Sequence, residues 1–349
     1  MSSRLPSTIW FACLLVLLPA AAARADVQDE KVRRVVEGGL DWVAHTQSRL
    51  GHWTANDGRY PTAMTAMAAN TLLLEGSTTT QGKYSENLRR AVDYLLSRSC
   101  QNGLIGDPVR DDRYTYGHGF SMLFLSQVLG EEEDQARRNE LIDVLSRAVV
   151  FTGRAQTEAG GWGYVSAKDG GGFDEGSTTI TQVQGLRACR NAGIAVPKEI
   201  IDKAIQYIRD CTTEDGGVQY SSKGGGGRPA ITAAAIACLF NAGEYDSEYV
   251  PKLLDYCEKN LGDINQQGFG HWHYAHYYYA QVKYREGEEK WETYRDQIYA
   301  KLLEEKAEVK VGDRTLYTWA QGYIGPVYTT SINLTIMQLE RAALPIYQR

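Results

Sequence analysis

Apolar residues in VRRVVEGGLDWVAHT (from Val32) return every third and fourth position, with charges on the opposite side. That is the spacing of an amphipathic helix. LRRAVDYLLSRS, IIDKAIQYIRD and VPKLLDYCEKN repeat the pattern. Between them lie segments almost without charge: YPTAMTAMAANTLLLEG, GFSMLFLSQVLG, TTITQVQGLRACRNAG and AITAAAIACLFNAG. These are apolar or small nearly all round, which predicts helices more buried than their partners. Most end in glycine (Gly76, Gly130, Gly193, Gly243, Gly287), the residue expected in the left-handed conformation after a helix C-terminus. No strand pattern of useful length appears, so the expectation is an all-α chain.

The chain also repeats. QSRLGHW (Gln47 to Trp53), QTEAGGW (Gln156 to Trp162) and QQGFGHW (Gln266 to Trp272) all spell Q-x-x-x-G-x-W. Degenerate copies begin at Ser99 (SCQNGLIGD), Thr212 (TTEDGGVQY) and Thr318 (TWAQGYIGP). Each stands between an amphipathic segment and a buried one, so a copy marks one helical hairpin. Six such hairpins fill the chain after its leader. Alternating exposed and buried helices can close into a double ring, and an open solenoid is the other arrangement they allow. In each motif the glycine permits a tight turn, the tryptophan packs, and the glutamine amide can bridge loop backbone between repeats. Gln47, Trp53, Gln156, Trp162, Gln266 and Trp272 are therefore expected to be structural.

The first 25 residues read as a signal peptide. Arg4 precedes the apolar run IWFACLLVLL, and Ala23-Arg24-Ala25 supplies a cleavage pattern ahead of Asp26. Residues 26–349 then form a single domain, exported to the periplasm or beyond, with no stable membrane span once the leader is cut. Net charge is −6 and no basic stripe occurs, which argues against a nucleic-acid partner. Cys100, Cys189, Cys211, Cys238 and Cys257 remain after cleavage, widely spaced and without C-x-x-C, so neither a zinc ribbon nor a dense disulfide framework is expected. The sequence names no disulfide pair.

The Q-x-x-x-G-x-W copies resemble the QW motifs of squalene–hopene and oxidosqualene cyclases. The six-hairpin layout is similar to the α/α toroid of those cyclases, of protein prenyltransferase β subunits and of complement-type thioester domains. GRYPTAMTAMA, GHGF, GGWGY, TTITQVQGLRACRNAGI, RPAITAAAIA and the LPIYQR end also resemble secreted bacterial "prenyltransferase and squalene oxidase repeat" proteins. The resemblance implies an all-α toroid of about six hairpins. It does not carry an activity, because one fold hosts several chemistries. The cyclase motif D-x-D-D is absent. Asp210-Cys211-Thr212-Thr213-Glu214 imitates D-C-T-A-E but falls at the end of an outer helix, away from any central cavity. The zinc-binding Asp-x-Cys of the prenyltransferases and the thioester C-G-E-Q are missing as well.

Loops from outer to inner helices gather at one mouth of the ring, and six inner-helix N-termini point there. Asp57, Arg59, Lys223 and Arg228 belong to these loops, and the glycine run 224–227 is expected to be flexible. Asp174 with Glu175, and Asp111 with Asp112, are the paired-carboxylate candidates for acid–base catalysis; helix capping is the competing role. Tyr114, Tyr116, His118, His273, His276 and Tyr279 are the candidates for cavity lining or ligand binding. Aligning inner helices on their final glycine places His276 level with Thr65, Gly119, Gln182 and Thr232. Two histidines make a poor metal site, and no metal or cofactor is expected. His271 is paired with His52 as a repeat equivalent. The sequence thus predicts a ligand-binding or scaffold protein for an apolar, peptide or glycan ligand. The alternatives are a terpenoid-cyclase-like or prenyltransferase-like enzyme with a degenerate site, and a polysaccharide lyase or hydrolase. An aromatic-lined pocket with one buried acid would favour the cyclase alternative.

Overall fold

The structure is a computed structural model describing residues 30–244, 248–266, 271–341 and 344–347. Residues 1–25, expected to be a leader, lie outside those residues, as do Gly268 and Gly270 of the third Q-x-x-x-G-x-W copy. Six outer helices are α1 (Glu30–Thr46), α3 (Ser85–Ser97), α5 (Gln135–Ala155), α7 (Lys198–Asp210), α9 (Val250–Leu261) and α11 (Glu288–Glu305). They alternate with six inner helices: α2 (Pro61–Leu74), α4 (Tyr114–Glu131), α6 (Gly176–Asn191), α8 (Pro229–Ala242), α10 (Trp272–Arg285) and α12 (Pro326–Met337). The sequence contrast explains the assignment. Helix α1 buries Val32, Val35, Val36, Leu40 and Val43 along one stripe, whereas every residue of α2 after Pro61 is buried.

Each inner helix packs on the next, and α12 returns to α2. Closure is made by specific bonds. Asn56 N donates to Ile324 O (2.8 Å), Thr71 Oγ1 to Ser331 O (3.1 Å) and Gln338 Nε2 to Thr71 O (3.3 Å). The double ring is therefore closed, and the open solenoid does not form. Below the mouth the barrel is filled. Gln184 and Gln281 meet across it, Tyr278 donates to Gln184, and Tyr347 plugs the base between Asn70 and Tyr277 (both 3.0 Å).

The repeated motifs act as clasps. Trp53 Nε1 donates to Val43 O and Trp162 Nε1 to Thr152 O (both 2.8 Å), pinning each loop to its own outer helix. Gln47 Nε2 bonds both Gly51 O and Asn87 O, while Gln156 Nε2 bonds both Gly160 O and Ile200 O, so each amide ties its turn to the next outer helix. At Gly51 (φ +87°) and Gly160 (φ +94°) a Cβ would stand 2.3 and 2.4 Å from the backbone oxygens of Arg90 and Lys203. Only glycine fits there. Trp272 Nε1 donates to Ile264 O (3.0 Å), and Gln266 is exposed. In the last repeat Trp319, two residues before Gln321 rather than after it, takes the tryptophan slot and donates to Leu302 O (2.9 Å).

Three expectations are corrected. Two antiparallel hairpins do exist: β1 (Gln219–Ser221) with β2 (Gly224–Gly227), and β3 (Ala307–Val311) with β4 (Arg314–Thr318). The first escapes notice because a polyglycine strand has no alternation to detect. The second turns through Gly312-Asp313, with Gly312 at φ +58°, and buries Leu316 and Tyr317 against α1. The glycine run is consequently a paired strand and not a free loop; Gly227 fits because it passes directly over Gly217. Finally, Gly130 lies inside α4, while Gly76, Gly193, Gly243 and Gly287 have positive φ.

Candidate functional site

The inner-helix N-termini and their loops surround a cavity of about 650 Å³ at the mouth. That volume is within the range of small-ligand sites. Its floor is Met64, Met67, Phe120, Tyr277 and Ile332, and beneath it the space shrinks to a pocket of about 10 Å³. Its walls are tyrosines: Tyr60, Tyr116, Tyr164, Tyr220, Tyr274, Tyr323 and Tyr328. Three arginines line the rim, each laid over a tyrosine ring. Arg59 stands 4.7 Å from Tyr60, Arg113 4.3 Å from Tyr164 and Arg228 4.9 Å from Tyr220. Among the described residues Arg59 alone of the three pairs with a carboxylate, Asp112 at 3.6 Å. The described residues that line the cavity include no Asp or Glu.

Local backbone strain gathers at this mouth. The three non-glycine residues with positive φ among those described are Asp57, Tyr60 and His271. Tyr60 and His271 occupy the left-handed region at the N-caps of α2 and α10, and both line the cavity. Such residues cost about 1–3 kcal/mol each and cluster at functional sites.

The paired carboxylates sit behind the wall. Glu175 caps α6: its oxygens accept Ser177 N (2.9 Å), Thr178 N (2.8 Å), Tyr116 Oη (2.7 Å) and Ser177 Oγ (2.6 Å). Ser177 N and Thr178 N donate to the carboxyl group, and the Tyr116 and Ser177 hydroxyls, which also bond each other, close a shared network around it. Asp174 is buried and accepts from Tyr207 Oη, Ser221 Oγ, Ser222 N and Ser222 Oγ, anchoring β1 to the start of α6. Asp111 accepts Arg113 N (2.9 Å) at the start of α4, and burial raises its carboxyl to about 6. Asp112 is exposed. Asp210 bonds Gln206 at the end of α7 and Glu214 is exposed, so the D-C-T-T-E stretch lies outside the cavity.

Of the six cavity candidates, Tyr116 lines the cavity. Tyr114 instead bonds Asp169 (2.6 Å) and Ser166 N (2.8 Å), and Tyr279 turns outward to Glu258 (2.6 Å) and Lys283. His273 bonds Asn333 (3.0 Å) and is edge-on to Trp272. His118 and His276 belong to the clasps. At four clasp residues the backbone N–H is received by one inner-helix threonine: Trp53 by Thr65, Trp162 by Thr179, Val218 by Thr232 and Trp319 by Thr330. In the second repeat Ile105 N donates to His118 Nδ1 (3.0 Å), leaving Nε2–H to donate to Thr152 Oγ1. Burial pulls the His118 imidazole down to about 4. His276 stands at the equivalent helix position and bonds Tyr294 Oη (2.8 Å) on α11, with its imidazole drawn down to about 3 by burial and by His273. The glycine-based alignment is thus corrected: Thr65, Thr179, Thr232 and Thr330 share their role with His118, not with Gly119 or Gln182. These side chains face the clasps, which is why the histidines leave the cavity to tyrosine.

His271 is not the equivalent of His52. His52 bonds Ser48 (2.9 Å) and stacks on Tyr94 on the outer ring, whereas His271 is exposed at the mouth, edge-on to Tyr323. Tyr60, Tyr164, Tyr220, His271, Tyr323 and Tyr328 are among the lining residues that sequence reasoning missed. One signal was available: GGWGY and GGVQY both carry tyrosine two residues after the clasp position. The cysteines are free, and no group of three or more metal-ligating side chains occurs among the described residues.

No protein-family model matches the sequence, and neither does any curated protein. Solved structures do match in fold. The GH76A alpha-1,6-mannanase from Salegentibacter sp. HEL1_6 aligns at TM-score 0.64 with 10% identity, covering 90% of this chain and 99% of that one. A type II terpene cyclase from Scytonema, solved with geranylgeranyl dihydroxybenzoate as substrate, aligns at 0.57 with 12% identity over 90% and 98%. D-mannose isomerase aligns at 0.56 with 13% identity over 88% and 97%. The fold is an α/α toroid. At these identities the toroid likeness concerns the scaffold alone. Among the described residues, no helix of this toroid is long and apolar enough to cross a membrane.

Proposed function

We propose that this toroid is an exported binding protein whose mouth cavity holds a small, largely apolar or aromatic ligand. One observation carries the reading: a cavity of about 650 Å³ with tyrosine walls, an apolar floor and no carboxylate among its described lining residues. Aromatic walls over an apolar floor favour burial of a flat or branched hydrocarbon body, with phenol hydroxyls left to orient it. Glycoside hydrolysis generally needs two carboxyl groups flanking the substrate, and here Asp174, Glu175 and Asp111 serve backbone and hydroxyl donors. The leader reading of residues 1–25, and with it a mature single domain from Asp26, belongs to the same proposal.

The cyclase alternative has one observation in its favour. Glu175 is a buried acid behind an aromatic wall, reached through Tyr116 and Ser177. Protonating an alkene requires an acid that presents a proton to the cavity; Glu175 is instead tied to two backbone N–H groups and to the Tyr116 and Ser177 hydroxyls. A thermal-shift screen of mature protein, comparing apolar, aromatic, glycan and peptide ligands, tests the binding reading. Stabilisation by apolar or aromatic compounds supports it. Turnover of a polyprene, abolished by Glu175→Gln, would replace it with the cyclase.

A further inference from the structure

The rim adds a polarity that the cavity alone lacks. We infer that the ligand is an amphipathic anion: an aromatic or fused-ring body seated among the tyrosines, with a single carboxylate- or sulfonate-type head held at the rim between Arg113 and Arg228. The inference deepens the binding reading and rests on it.

The two guanidiniums come from different repeats but belong to one connected shelf. Arg113 precedes α4 and lies over Tyr164; Arg228 ends the β1–β2 hairpin and lies over Tyr220. The Tyr164 and Tyr220 hydroxyls hydrogen-bond to each other, and Phe173 packs against both rings at 5.6 and 6.5 Å. A guanidinium flat on an aromatic ring keeps its N–H edge free to grip a planar anion. Two buried acids border this wall: Glu175 is taken up by Ser177, Thr178 and Tyr116, and Asp174 by Ser221 and Ser222, while Asp112 pairs with Arg59 on the neighbouring loop. Hence the charge left to face a ligand here is positive. The shelf is aromatic, its rings tilted by 50° and 48° to their neighbours, so it offers π faces and edges to a ring system. The floor of Met64, Met67, Phe120, Tyr277 and Ile332 carries one hydroxyl, Tyr277's, which bonds Tyr347, and no charged partner for a second charged end.

The test uses two fluorescent probes that differ only in the head: 1-pyrenebutyrate and 1-pyrenebutanol, titrated into mature full-length protein. The butyrate should bind at least tenfold more tightly than the alcohol, and the gap should narrow as salt is raised. Arg113→Gln with Arg228→Gln should remove the gap, bringing the butyrate's affinity down to the alcohol's in the same variant. Arg113→Lys should restore only part of it, because lysine keeps the charge and loses the stacked plane. Equal affinities for both probes in the wild-type protein would overturn the anion inference and leave the cavity reading standing. Failure of both probes to bind would overturn both readings.

Discussion

Tyr164 and Tyr220, each two residues beyond a clasp in neighbouring repeats, join their hydroxyls across the mouth of the ring. This bond turns two separate loops into one wall, and Arg113 and Arg228 lean on its two ends. Tyr220→Phe removes the bond while keeping the ring. The expected effect on stability is about 1 kcal/mol or less, read by urea denaturation. Affinity for an anionic aromatic ligand should fall several-fold, because the shelf loses its fixed spacing.

The clasps govern stability instead. Gly160→Ala would force a Cβ to 2.4 Å from Lys203 O at φ +94°, so it should destabilise by more than about 1 kcal/mol. Trp162→Phe leaves Thr152 O without its indole donor in the interior and should lose roughly 1–3 kcal/mol. Chemical denaturation checks both values, and the folded fraction should bind ligand as the wild type does.

His118 separates a clasp role from a ligand role. His118→Ala leaves Ile105 N–H buried without an acceptor and should cost about 1–3 kcal/mol. His118→Thr, the residue used by four sister repeats, should recover part of that loss. Neither change should alter affinity at the cavity, measured by titration calorimetry. A large loss of affinity at unchanged stability would return His118 to the site.

Much of the fold was legible because burial imposes a helical period on the outer segments and removes charge from the inner ones. The clasps were legible because the glycine, tryptophan and glutamine requirements recur in register. The cavity was less so. Whether His118 or Tyr116 faces the ring centre depends on where each inner helix begins, and a glycine-based alignment misplaces that start in α4 and α6. Tyr164 and Tyr220 reach the mouth only because their loops fold back across it, and in one of them a polyglycine strand does the folding. Asp174 and Glu175 look like an acid–base pair in sequence. In three dimensions they are consumed by backbone and hydroxyl donors that the sequence does not reveal.

Asp111 makes stability depend on pH. Burial lifts its folded-state pKa to about 6, above the ordinary carboxylate value, so the folded protein holds this proton more tightly than the unfolded chain. Its contribution is therefore most favourable at low pH and is lost as pH rises through about 6. Asp111→Asn keeps the Oδ1 acceptor for Arg113 N and removes the charge. The variant's stability relative to wild type should increase between about pH 4 and pH 7, by on the order of 1–3 kcal/mol. Urea midpoints across that range check the sign.

The central claim, that the mouth cavity is the binding site, is tested most directly by filling it. Ala230 lines the cavity near the start of α8 and is only partly buried, so Ala230→Trp can occupy the space without disturbing the core. Titrating 1-pyrenebutanol, a neutral aromatic probe, into wild-type and variant protein should give saturable single-site binding in the first. The second should bind at least tenfold more weakly at an unchanged melting temperature. Equal binding by the two proteins would place the site elsewhere and contradict the account.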